Sequence, residues 1–263
     1  MRTVISKDGT TIAFDKSGQG PAVILVVGAF NDRSTGTPLA QHLEQHFTVF
    51  NYDRRGRGDS GDTAPYVIER EIEDLQGLID EAGGSAYVFG YSSGAVLALK
   101  AAAQGLTISK MALYELPLLV DGVQPRQSVD HPENLAELIK AGRRGDAVEY
   151  YQTKVIGIPE DIVAQLRQAP FRPALEAMAH TLVYEATILG DMSLPRELAA
   201  AVTVPTLAIA GGASFPFMRE TAQVLANILP AGRARTLEGQ THDIVPAILA
   251  PVLEQFFSRS DES

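Results

Sequence analysis

The chain is predicted to fold as an α/β protein with a mostly parallel sheet, and three observations carry that prediction. The run Ala22-Val23-Ile24-Leu25-Val26-Val27 is continuously apolar, without the alternation of a half-exposed strand, and suits a strand covered on both faces. Runs of this kind alternate along the chain with helical stretches, the order that builds crossover units. The length of 263 residues, with 45% hydrophobic and 21% charged, allows one large domain or two small ones with a real core and excludes global disorder.

The elements follow in order. Thr3 to Ser6 and Thr10 to Phe14 flank Asp8-Gly9, a dipeptide that supplies positive φ, and read as a hairpin. After the Ala22–Val27 strand come a helical stretch around Leu39 to His46 and a strand over Phe47 to Tyr52. Ile68, Ile72, Leu75, Ile79 and Ala82 keep a helical rhythm with Glu and Asp between them, stopped by Gly83-Gly84. Ala86 to Phe89 is a short buried strand, Ala95 to Ala103 a helix ended near Gly105, and Lys110 to Tyr114 a further strand. From about 121 to 203 the buried strand runs vanish, and helical stretches at 133–141, 145–156, 159–168 and 172–189 are separated by Pro and Gly. Strands resume at Pro205 to Ala210 and Ala234 to Leu237, and a helix from about Val245 to Phe257 closes the chain. The simplest organisation is a core of residues 1–120 and 204–263 with a helical insertion at 121–203. The charged tail Arg259 to Ser263 reads as frayed.

Composition narrows the function. A net charge of −10, from 22 Lys+Arg against 32 Asp+Glu, disfavours an electrostatic grip on nucleic acid or an anionic membrane. With no cysteine there are no disulfides, thiolate metal sites, Fe–S clusters or Cys nucleophiles. Met1 to Gly9 lacks the apolar run of a signal peptide, and Ala22–Val27 is far short of a bilayer span. A soluble, cytoplasmic protein is expected, with a small molecule as its partner and a homodimer left open.

Gly90-Tyr91-Ser92-Ser93-Gly94 matches G-x-S-x-G and sits between a predicted strand and a predicted helix, the context a nucleophile elbow requires. The alternative is a Gly-rich turn without chemistry. A serine hydroxyl needs a base, and the chain offers five histidines. His42 and His46 lie one helical turn apart with no carboxylate at metal-ligating spacing, and read as surface residues. His131 and His180 fall in the insertion and read as packing or exposed residues. His242 lies in a loop after the last strand and before the last helix, at the same sheet edge as Ser92, and reads as the base.

The strand order, the elbow at Ser92 and the late His242 loop together resemble the α/β-hydrolase family over essentially the whole chain. The segment Tyr52-Asp53-Arg54-Arg55-Gly56-Arg57-Gly58-Asp59-Ser60 is similar to the Y-D-x-R-G-x-G-x-S run after the fourth strand of many members; within it Asp53 and Arg55 read as scaffold. The resemblance implies an eight-stranded sheet with flanking helices and a helical cap formed by the insertion, in which Tyr150, Tyr151, Phe171, Met178, Leu182 and Tyr184 would form cap core more than pocket.

The family usually places its triad acid as an Asp after the seventh strand. The matching stretch, Ile209 to Pro216, carries Ser214 there and no carboxylate before Glu220. A minority, including one branch of the haloalkane dehalogenases, places the acid after the sixth strand, which here ends Leu113-Tyr114-Glu115, so Glu115 is assigned as the acid; the neighbouring Asp243 ranks lower. The resemblance further implies an oxyanion hole from the backbone N–H groups of Ser93 and Ala29. Val27 replaces the family's usual His before Gly28, so the loop must be anchored from elsewhere. Phe30 or Asn31, with Tyr91, would face the substrate.

The implied protein is a serine hydrolase of a small or medium apolar ester or lactone, with no metal and no organic cofactor. Ser at position 92 excludes the Asp-nucleophile epoxide hydrolases and dehalogenases. The missing tryptophan weighs against the halide grip of that dehalogenase branch and against cofactor-free haloperoxidases. Perhydrolase, C–C hydrolase and lyase chemistry in the same frame stay open, as does a non-catalytic ligand receptor.

Overall fold

The computed structural model describes residues 1–120 and 130–259. The expected start of the insertion at 121 and all but the first residue of the tail Arg259–Ser263 lie outside the described residues. Eight strands form one sheet: β1 (Arg2–Ile5), β2 (Thr11–Ser17), β3 (Ala22–Val26), β4 (Thr48–Tyr52), β5 (Ala86–Tyr91), β6 (Ile108–Tyr114), β7 (Thr206–Gly211) and β8 (Gly232–Leu237). Their order is β1-β2-β4-β3-β5-β6-β7-β8. The pairings of β2 with β1 and β4 are antiparallel, and the other five are parallel. The β1–β2 hairpin turns at Gly9 with φ +87°, and Asp8 Oδ1 accepts a hydrogen bond from Thr10 N at 3.0 Å.

The apolar runs are explained by burial on both faces. Val23 and Leu25 pack with Leu39 and Leu43 of α1 (Arg33–Leu43) and with Leu249, Leu253 and Phe257 of α11 (Pro246–Ser258). Ile24 and Val26 point the other way, into a cluster with α2 (Ile68–Glu81), α3 (Ser93–Ala103) and α10 (Pro216–Ile228). Alternate side chains of one strand thus meet two different helix layers.

Three local expectations are corrected. Helix α1 begins at Arg33 rather than Leu39, because Asp32 caps it by accepting from Ser34 N at 2.8 Å. Pro38 inside it forgoes one ladder bond without ending the helix, and the helix stops at Leu43 instead of His46. Helix α10 fills a stretch for which no element is expected from the sequence; Pro216 occupies its first position, where the missing N–H costs nothing.

The connection from β6 to β7 is helical, as expected: α4 (His131–Lys140), α5 (Arg144–Tyr150), α6 (Glu160–Gln165), α7 (Arg172–Ala177), α8 (Leu182–Leu189) and α9 (Arg196–Ala200). The stretch expected as one helix over 145–156 changes from α to π geometry at Tyr151 and ends at Gly157 with φ +86°. That expected over 172–189 is interrupted by a 3₁₀ turn at Ala179–Thr181. Among the described residues no helix is long and apolar enough to cross a membrane.

Replacing the α1 cap, Asp32→Ala, is expected to lower unfolding free energy by about 1 kcal/mol, read from the urea midpoint; an unchanged midpoint would remove the cap from the account of where α1 starts.

Candidate active site

Ser92 sits between β5 and α3 with φ 55° and ψ −127°, a conformation a non-glycine residue holds only under constraint. The constraint is close packing by its two glycine neighbours. A Cβ on Gly94 would lie 2.3 Å from the Val26 carbonyl oxygen, and one on Gly90 would lie 2.6 Å from Ala95 Cα. The backbone N–H of Ser92 donates to the Tyr114 carbonyl at 2.9 Å, tying the turn to the end of β6. Among the described residues Ser92 Oγ takes part in no hydrogen bond, and it lines a cavity whose wall also includes His242.

His242 lies between β8 and α11, as the sequence indicates, and its Nδ1 is 3.1 Å from Glu115 Oε2. Glu115 immediately follows β6, is fully buried, and holds φ +58°. Its Oε1 accepts from Gly211 N at 2.6 Å, and its Oε2 also accepts from the hydroxyl of Ser214, the residue standing where the family's Asp was sought. Three donors thus fix the carboxylate, which replaces the water lost on burial. The loop bearing His242 is itself pinned by Tyr114, whose hydroxyl donates to the carbonyls of Thr241 (2.7 Å) and Asp243 (3.2 Å). Tyr91 stacks obliquely on the imidazole, with ring centroids 5.1 Å apart. The Asp243 carboxylate meets Thr241, not the imidazole.

The loop after β3 answers the question raised by Val27. Arg54 Nη1 donates to the Val27 carbonyl at 3.1 Å, and Arg57 Nη1 donates to the carbonyls of Gly28 (2.6 Å) and Asn31 (3.1 Å). Both guanidinium groups also bind Glu185 Oε1 of α8, and Arg54 holds Glu71 of α2 through two contacts of 2.7 Å. All four side chains are buried, and two cations face two carboxylates. Burial disfavours the charged form of Arg54, but Glu185 and Glu71 outweigh it and hold the guanidinium well above its ordinary range. Burial likewise opposes the Glu71 carboxylate, yet Arg54 carries it below the ordinary range.

Ala29 lines the cavity, but its N–H already donates to Ser93 Oγ at 3.0 Å. Phe30 and Tyr91 both line the cavity, as does Asn31; Phe30 holds φ +60° and meets the Tyr151 ring edge-on at 5.5 Å. The cavity measures about 510 Å³, within the range of small-molecule sites. Among the described residues no Lys, Arg, Asp or Glu lines it. Of the insertion residues singled out from sequence, only Tyr151 reaches the cavity; Leu182 is buried away from it, and Phe171 is half exposed rather than core. The walls missed by sequence reasoning are Pro117, Val155 to Pro159, Leu189, Met192, Phe215, Phe217 and Met218. Apolar composition alone does not separate a cavity wall from core, although the π turn ahead of Gly157 is the kind of irregularity that marks sites.

His42 and His46 are exposed. His131 is buried against the Tyr150 hydroxyl, and His180 lies between Arg144 and Asp62. Asp53 and Arg55 form ion pairs, Asp53 with Arg33 and Arg55 with Asp74 and Asp8. Among the described residues no group of three His, Asp or Glu side chains could hold a metal ion.

A strained serine between strand and helix, a histidine on the final loop and this strand order define a fold class that comparison with known proteins confirms. The alpha/beta hydrolase family matches residues 23–253, and the chain belongs to it. It is similar to the crystal structure of an alpha/beta hydrolase from Sphaerobacter thermophilus, at 53% identity over 98% of this chain and 100% of that one, with a TM-score of 0.91. It is also similar to an uncharacterized hydrolase, YraK, of Bacillus subtilis, at 37% identity over 35% of each chain. An N-formylmaleamate deformylase of Pseudomonas putida is 32% identical over 38% of this chain and 39% of that protein. The chain therefore spans little more than a third of the length of these two curated relatives.

Glu185→Gln leaves two buried guanidinium groups against one carboxylate and is expected to cost about 3–5 kcal/mol of stability in urea unfolding. Because the folded Glu71 titrates below its unfolded value, its contribution is complete above the ordinary glutamate range. It is lost as pH falls through the folded value, so wild-type unfolding midpoints measured from pH 7 downwards should decline below about pH 4.3.

Proposed function

We propose that the protein is a serine hydrolase of uncharged, small or medium apolar esters or lactones, working through an acyl-enzyme on Ser92, with the helical insertion as the cap over the cavity. The observation that carries this reading is the Glu115 carboxylate held against His242 Nδ1, with His242 and the strained Ser92 lining one cavity. Nδ1 facing a carboxylate carries the proton, which leaves Nε2 as the base. Nε2 takes the Ser92 Oγ proton as the Oγ–carbonyl carbon bond forms, then gives it to the leaving alcohol oxygen as the ester C–O bond breaks. Water repeats the sequence on the acyl-enzyme, delivering its proton through His242 and releasing the acid. Glu115 keeps the tautomer and stabilises the imidazolium; Ser93 and the Ala29 loop face the developing oxyanion.

The cavity wall supports the substrate class. N-formylmaleamate, named for the Pseudomonas relative, is a carboxylate, and among the described residues no Lys or Arg lines the cavity here to receive one. Desolvating an unpaired carboxylate among these apolar side chains costs several kcal/mol.

A fluorophosphonate probe should label wild type and not Ser92→Ala, which should also lose turnover of p-nitrophenyl butyrate; tight binding of such esters without turnover would make the protein a receptor. The hemisuccinate ester of p-nitrophenol should be a poorer substrate than the butyrate by about 10²-fold or more in kcat/KM.

Glu115→Gln should lower kcat by about 10²- to 10⁴-fold with the fold intact. Because Ser214 Oγ already reaches the Glu115 oxygen that meets His242, Ser214→Asp in the Glu115→Gln background should recover about tenfold or more of that loss. A Glu115→Gln enzyme as fast as wild type would move the acid elsewhere.

A further inference from the structure

We infer that the side-chain hydroxyl of Ser93 is an oxyanion-hole donor in its own right, standing between the developing oxyanion and the Ala29 N–H. This rests on the reading of Ser92 and His242 as a hydrolytic pair. Ser93 is the first residue of α3, is buried, and lines the cavity next to Ser92. Its Oγ accepts the Ala29 N–H at 3.0 Å, so the backbone donor expected to meet the oxyanion directly is already engaged. A hydroxyl that accepts one hydrogen bond keeps its own proton to donate. Among the described residues Ser93 Oγ donates to no acceptor.

The same peptide unit is polarised from its other side. The carbonyl of Gly28 and the N–H of Ala29 belong to one amide plane, and Arg57 Nη1 binds that carbonyl at 2.6 Å. Asn31 Nδ2 donates to the Ala29 carbonyl at 2.6 Å, fixing the next peptide. A buried cation on the oxygen strengthens the N–H as a donor, and the N–H in turn strengthens the Ser93 O–H, as hydrogen bonds in a chain polarise one another. The loop lies close against the nucleophile turn: a Cβ on Gly28 would lie 2.8 Å from Ser92 Cβ and 3.2 Å from Ser93 Oγ. When Ser92 adds to the substrate, the carbonyl π electrons move onto oxygen. That oxygen accepts hydrogen bonds from the Ser93 backbone N–H and the Ser93 O–H; both donors keep their protons, and the Ser92 Oγ proton passes to His242 Nε2.

The experiment compares wild type, Ser93→Ala and Ser93→Thr in four measurements. These are kcat and KM for p-nitrophenyl butyrate, the pH profile of kcat/KM, inhibition by 1,1,1-trifluoro-2-octanone, and inhibition by butyrate, the product acid. Ser93→Ala keeps the backbone N–H and should lower kcat by about 10²-fold with KM nearly unchanged. The inhibition constant of the trifluoromethyl ketone, which forms a tetrahedral adduct on Ser92, should rise by a similar factor. The inhibition constant of butyrate and the acidic limb of the pH profile should stay in place, and Ser93→Thr, which retains a hydroxyl, should recover most of the rate. A Ser93→Ala enzyme as fast as wild type, or faster, overturns the inference and makes Ala29 N–H the donor that Ser93 Oγ merely covers. Parallel loss of butyrate binding and ketone binding, or a Ser93→Thr enzyme no better than Ser93→Ala, also overturns it. Wild type that neither turns over the ester nor reacts with a fluorophosphonate sinks the hydrolase reading itself, and this inference with it.

Discussion

The arrangement around the cavity depends on a neutral group of buried charges, Arg54 and Arg57 against Glu71 and Glu185. Taking four ions out of water is unfavourable unless each finds partners of opposite sign and enough hydrogen bonds. Here the partners come from three places: the segment after β4, helix α2 of the sheet layer, and helix α8 of the insertion. The leftover donors of the two guanidinium groups go to the carbonyls of Val27, Gly28 and Asn31. The loop that would otherwise need the family's histidine is therefore held by cations that the insertion helps to neutralise. Loop and insertion are coupled by charge, and a disturbance in one is felt by the other. The coupling is not perfectly satisfied, since Arg57 Nε and Glu185 Oε2 are buried without a partner among the described residues.

Backbone strain is concentrated in the same place. Phe30, Ser92, Glu115 and Met192 are the non-glycine residues with positive φ among those described. Phe30, Ser92 and Met192 line the cavity, and Glu115 holds His242. Each such conformation costs of order 1–3 kcal/mol and persists only where surrounding packing overrides it. That packing is visible at Ser92 in the two glycines that let α3 and β3 close on the turn. A sheet buried on both faces can carry that load, because its strands have no freedom to relax.

Elements whose physics is local were legible in the sequence. The central strands announced themselves because burial on both faces demands continuous apolar runs, and Ile68 to Ala82 because one face alone is buried. Ser92 and His242 followed from their positions at strand ends. Helix α10 is not legible from its Pro-led start, and the first turn of α1 is hidden by Gly36 and Pro38 although Asp32 caps it. The cavity wall was the least legible part. Val155, Met192 and Phe217 have the same chemistry as core residues, and only the tertiary arrangement decides which apolar side chains face empty space. The engagement of the Ala29 N–H by Ser93 Oγ was equally hidden, since it joins residues 64 apart in the chain.

The placement of the carboxylate follows from strand geometry. Strands β6 and β7 are parallel neighbours, with Tyr114 in register with Ile209, so residue 115 emerges beside the turn that leaves β7. Adjacent strands lie about 4.8 Å apart, and a carboxylate starting from β6 must cross that gap to reach a histidine loop built on β8. The left-handed backbone at Glu115 turns its side chain across β7, and the extra methylene of Glu over Asp supplies reach. Gly211 N and Ser214 Oγ then receive the carboxylate at the place where the family more often grows an acid from β7 itself. Ser214 and His242 thus meet the same carboxylate oxygen of Glu115, and a larger anionic side chain at 214 would compete with Glu115 for the same space and the same imidazole nitrogen. An acid on β6 and a small hydroxyl on β7 are two halves of one steric solution, which is why neither residue's role can be read without the other.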